Sequence, residues 1–156
     1  MSLRSLFAFL LAACLVLPAC DTGEEDALTA AFFVGVWDLT ATRDGSGDRT
    51  AEAFDVLDAF EVTFNDGGGF SLLVDLDQSI NDEGTADTTI PGVYQVTSDE
   101  RLVLHVGAIA PSFEVSREGN DRVELSTASA VVNQVLAAAS VDLELTGTVR
   151  LTLERR

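Results

Sequence analysis

Residues 58–76 read DAFEVTFNDGGGFSLLVDL, and their alternation decides the fold class. Phe60, Val62 and Phe64 fall on one parity, with Glu61, Thr63 and Asn65 on the other. A side-chain period of two is the geometry of a strand with one buried and one wet face. Asp66-Gly67-Gly68 then supplies residues that tolerate left-handed backbone, so Asp58–Asn65 and Gly69–Leu76 read as the arms of a β-hairpin.

The same reading extends in both directions. Upstream, Phe33–Thr42 is a strand; downstream, Gly92–Thr97 and Arg101–Val106 pair around Ser98-Asp99-Glu100. Ser112–Arg117 and Arg122–Thr127 form a further hairpin around Glu118-Gly119-Asn120-Asp121. The last strand is the longest: Val141, Leu143, Leu145, Val149, Leu151 and Leu153 share one parity, and Gly147 stands on it where a kink or bulge would bend the strand. Ser129–Ser140 alone follows a helical period, placing Val131, Val132, Val135, Leu136 and Ala139 on one stripe behind a Ser129 cap. A strand built of these valines is the competing reading. Arg43–Val56 and Asp77–Pro91, rich in Asp, Gly, Ser and Thr, read as loops.

Residues 32–156 thus make one mainly β domain. The expected architecture is an antiparallel up-and-down eight-stranded barrel with one short helix before the last strand. Closing a meander removes its two exposed edges, and an eight-strand interior just holds one small ligand.

The N-terminus carries an address. Arg4 and the apolar run Leu6–Val16 form a signal peptide over residues 1–19, too short an apolar run to span a bilayer comfortably. Leu17-Pro18-Ala19-Cys20 resembles a bacterial lipobox, which implies cleavage before Cys20 and acylation of that cysteine. Two or three acyl chains would anchor the chain stably. Residues 20–31 then serve as the lipidated cysteine and an acidic tether. The expected location is exported and anchored to the cell membrane or outer membrane, at the periplasmic face or cell surface. Cys14 leaves with the signal, so thiol catalysis and thiolate metal sites are excluded.

All nine basic residues are arginine, against 26 acidic residues and a net charge of −17. Loss of the signal removes only Arg4 from this balance, so the mature chain is more acidic still. Such a surface repels phosphates, so no nucleic-acid partner is expected. It also repels anionic lipid heads, leaving the anchor to hold the chain. Lysine-free acidity matches surfaces adapted to high salt, and equally a GC-rich genome.

Phe33-Val34-Gly35-Val36-Trp37-Asp38-Leu39-Thr40 resembles the Gly-X-Trp opening strand of the lipocalins. Phe64 to Phe70, Gly92-Val93-Tyr94-Gln95-Val96 and Leu102-Val103-Leu104 resemble the lipocalin-like domains common in lipoproteins of Bacteroidetes-type bacteria. The resemblance implies a calycin barrel, a tryptophan (Trp37) plugging its closed end, an arginine stacked over that tryptophan (Arg150 or Arg122), and a small hydrophobic ligand inside. The expected binding set is Trp37, Phe54, Phe60, Phe64, Leu72, Val74, Tyr94 and Leu104, with Phe54 as a lid residue over the mouth.

No reaction is legible. His105 is the only histidine and sits mid-strand without an evident partner. No nucleophile elbow or phosphate loop occurs. Asp75 to Glu83 begins like an EF-hand, yet Ile80 stands where the turn glycine belongs and Ala86 where the bidentate glutamate belongs, so no metal is expected. The expectation is a non-enzymatic, cofactor-free binding protein. The alternative is a filled barrel docking another envelope protein through its outer surface. An enzyme with His105 or Glu61 facing a cavity ranks last.

Overall fold

The computed structural model describes residues 27–76, 88–97, 99–138 and 141–156. The signal, Cys20, most of the acidic tether, Ser98 and the calcium-like loop from residue 77 lie outside the described residues.

Among the described residues nine strands form one antiparallel sheet: β1 Gly35–Asp44, β2 Gly47–Asp48, β3 Leu57–Phe64, β4 Gly69–Leu76, β5 Thr88–Val96, β6 Arg101–His105, β7 Ser112–Arg117, β8 Arg122–Ala128 and β9 Thr148–Arg155. Apart from β2, a short flap on the end of β1, each strand pairs with the next. β1 also pairs with β9, from Trp37 opposite Arg155 to Arg43 opposite Arg150, which closes an eight-stranded up-and-down barrel. Closure leaves no free edge among these eight strands. In the expected hairpin Phe60 faces Val74, Val62 faces Leu72 and Phe64 faces Phe70, so the apolar parity of both arms points inward.

Among the described residues three helical segments complete the fold: α1 Ala30–Phe33, α2 Thr50–Val56 and α3 Ser129–Ala138. The Ser129 helix is present as expected; the two others correct the sequence reading. Phe33 is not the first residue of a strand but ends the single turn α1, and Leu28 before it is already buried. Thr50–Val56, read as loop, is helical because its packing outweighs a weak local signal. The Asp48 carboxylate accepts the Thr50 N–H at 2.9 Å, and Ala53 on its inner face is only 1% exposed.

Two strand limits also differ. β5 begins at Thr88 rather than Gly92, with Pro91 inside it. β6 joins β5 only from Val93 onward, so Pro91 has a side without a ladder, where a missing N–H is tolerated. The last strand begins at Thr148, not Val141. Val141 and Leu145 are buried as the alternation required, but residues 141–147 form an irregular strap. Gly147 at φ +64° breaks the strand, and Asn133 replaces its partner. The Asn133 amide donates to the Leu145 carbonyl at 2.8 Å and accepts the Leu145 N–H at 3.0 Å.

Candidate functional site

The barrel has two unlike ends. At the end where β1 starts, aromatic rings make a solid floor. Phe33 lies 5.4 Å from Phe64, 6.2 Å from Trp37 and 6.5 Å from Tyr94, and Phe64 meets Tyr94 edge-on at 4.8 Å. Trp37 is fully buried, and its indole N–H donates to the Phe33 carbonyl at 2.6 Å. The Tyr94 hydroxyl lies 3.0 Å from the Asn65 carbonyl and 3.1 Å from that of Ala30. Burial pushes the Tyr94 phenol up from its ordinary value, with the Asp66 charge adding to the shift.

The arginine over Trp37 is Arg155, with Cζ 4.7 Å from the ring centroid. This corrects the assignment to Arg150 or Arg122. Both of those point outward, Arg150 to Glu124 and Arg122 to Glu118 and Glu154. Arg155 faces inward because it stands directly across the ladder from Trp37 and therefore shares its face. Its Nη2 also donates to the Phe32 carbonyl, tying α1 across the floor.

At the opposite end, α2, α3 and the strap cover the barrel. The strap is tied to the wall by the Thr146 N–H to the Asp44 carboxylate at 2.9 Å and the Gly45 N–H to the Thr146 carbonyl at 2.8 Å, and to the start of α3 by the Ser129 N–H to the Gly147 carbonyl at 2.8 Å. Between cover and floor lies a cavity of about 110 Å³. The barrel wall lines it with Leu39, Phe60, Phe64, Leu72, Leu104 and Leu151, among others. The cover adds Ala53 from α2, Val132, Val135 and Leu136 from α3, and Leu143 and Leu145 from the strap. A void of this size costs about 2–3 kcal/mol of stability relative to a filled core. An apolar guest that fills it recovers part of that loss.

The expected binding set divides accordingly. Phe60, Phe64, Leu72 and Leu104 line the cavity. Trp37 and Tyr94 belong to the floor beneath it, and Val74, 1% exposed, packs into the core without reaching the cavity wall. Phe54 is not the lid residue: it lies on the outer face of α2 and is 39% exposed, while Ala53 faces in. The cover residues were the part of the site missed from sequence. The helical stripe through Val132, Val135 and Leu136 signalled burial, but not burial against a void.

Among the described residues that line the cavity, Thr42 is the one polar side chain. It faces inward because the β1–β9 register slips between Leu39 and Ala41, which reverses the alternation that made Trp37 and Leu39 internal. Its backbone N–H and carbonyl are both satisfied by the Thr50 hydroxyl, at 3.0 and 3.3 Å. Its own hydroxyl is buried and has no hydrogen-bond partner among the described residues. His105 is exposed, and Glu61 pairs with Arg156 at 2.9 Å, so neither lines the cavity. No group of side chains suited to hold a metal ion occurs among the described residues, and none of their helices is long and apolar enough to cross a membrane.

No protein-family model matches the chain, and no curated protein matches it.

Proposed function

We propose that this protein is a lipid-anchored envelope lipoprotein whose barrel binds a small hydrophobic molecule without chemically changing it. The observation that carries the binding reading is the apolar cavity of about 110 Å³ between the aromatic floor and the helical cover. It is comparable with the ~150 Å³ apolar cavities that stay dry and take up benzene. The Trp37–Arg155 stack supports a lipocalin-like assignment, since an arginine over the first-strand tryptophan is what that resemblance implies. The Leu17–Cys20 motif supports the anchor. Docking through the outer surface calls for a contiguous apolar patch. The exposed large apolar side chains among the described residues are Val34, Phe54 and Val93, at separate places in the chain.

Two measurements test the proposal. Native mass spectrometry of the chain purified from its own host should show a small organic adduct released by solvent. A clean apo mass, with no thermal shift on adding small hydrocarbons, would sink the binding reading. Metabolic labelling with a fatty-acid analogue should mark the chain and fail to mark Cys20→Ala; equal labelling of both would sink the anchor.

A further inference from the structure

We infer that the barrel selects neutral hydrocarbon-like molecules of roughly benzene size and rejects their hydroxylated and carboxylated counterparts. The inference rests on the binding function proposed above and adds the chemical class of the ligand. Its basis is the composition of the cavity surface: no nitrogen or oxygen atom of the described residues contributes to it. Thr42 borders the cavity through carbon alone, since its Oγ1 is buried away from both solvent and the void.

The backbone groups of two lining residues are also occupied. The N–H and carbonyl of Thr42 are taken by Thr50, and those of Leu145 by Asn133. A guest hydroxyl would therefore lose its water without gaining a partner among the described residues, which weakens binding about ten- to a hundredfold. A carboxylate fares worse, because it would be desolvated inside a chain that carries 26 acidic residues against nine arginines. The cavity volume sets the size, since about 110 Å³ accommodates a six-membered ring but no long acyl chain.

The test is isothermal titration calorimetry on the full-length chain carrying Cys20→Ser, so that no acyl chain competes for the cavity. Benzene, phenol and benzoate are the probes, being near-isosteric and differing in polarity. Benzene should bind at least tenfold more tightly than phenol, with no heat from benzoate. Phenol binding as tightly as benzene would overturn the inference and leave the binding function standing. Absence of binding by all three would overturn both. Ala53→Leu and Val135→Leu fill the void from opposite covering helices, and each should weaken benzene binding at least tenfold. Unchanged affinity in both variants would place the guest elsewhere and overturn the assignment.

Discussion

The guanidinium of Arg155 lies over the indole of Trp37, and the two residues face each other across the ladder that closes the barrel. One side chain thus joins the first strand, the last strand and, through the Phe32 carbonyl, the turn that precedes the barrel. Arg155→Ala should lower stability by about 2 kcal/mol, the combined worth of a desolvated cation–π contact and a charged hydrogen bond. Arg155→Lys should restore less than half of that, because an ammonium cannot both stack and donate in the same plane. Urea unfolding followed by the single tryptophan reads both the midpoint and the exposure of Trp37. A loss under about 0.5 kcal/mol would remove the clasp role.

Thr42 holds a hydroxyl in the core without a partner. Thr42→Val keeps the branched shape and removes the unsatisfied oxygen, so it should stabilise the protein by about 1 kcal/mol. Thermal melting of the variant checks this, and a lower melting temperature would mean that the hydroxyl has a partner in solution.

Gly92 lies opposite Phe70 in the β4–β5 ladder, with the aromatic ring lying over it. A methyl group there would run into the His105 carbonyl oxygen and come within 2.5 Å of Phe70 Cε1. Backbone cannot move aside cheaply, so Gly92→Ala should cost roughly 3 kcal/mol. Gly67→Ala, in the open turn, meets nothing within 4 Å and serves as the control. Equal melting temperatures for the two variants would contradict the close approach.

Asp44 ties the strap to the end of β1. The Ser46 hydroxyl, 2.6 Å away, is the main reason its carboxyl sits well below the ordinary 3.8; partial burial opposes this, and the Thr146 and Ser46 N–H groups add to it. A carboxyl depressed in the folded state stabilises above its unfolded value, and that contribution disappears as pH falls through the folded one. The difference in melting temperature between the wild type and Asp44→Asn should therefore shrink steadily from about pH 5 to about pH 2. Taking the difference removes the parallel acid losses from Asp48 and Asp99, which Thr50 and Thr97 hold low. A difference independent of pH would mean that the carboxylate charge does not fasten the strap.

Much of the barrel was legible in the residues themselves. The alternation at Phe60, Val62 and Phe64, the Asp66-Gly67-Gly68 turn and the Ser129 helix all stand as read, because strand period, turn chemistry and helical stripe are local properties. The misreadings share a cause. Val141–Leu145 buries the residues its alternation demands, yet a side-chain amide from α3 takes the place of a neighbouring strand. Thr50–Val56 is helical through its contacts with Thr42 and the core, which leave little trace in seven residues of sequence.

The sequence by itself determined an antiparallel meander of hairpins with one helix before its end, since period and turn residues act over a few neighbours. Only the tertiary structure decided which arginine reaches Trp37, because that depends on strand register across the closure. It alone decided, too, that the lower barrel is packed with rings while the upper barrel keeps a void. Inward apolar side chains look the same in sequence whether they meet one another or surround a space, and only their placement in three dimensions separates the two.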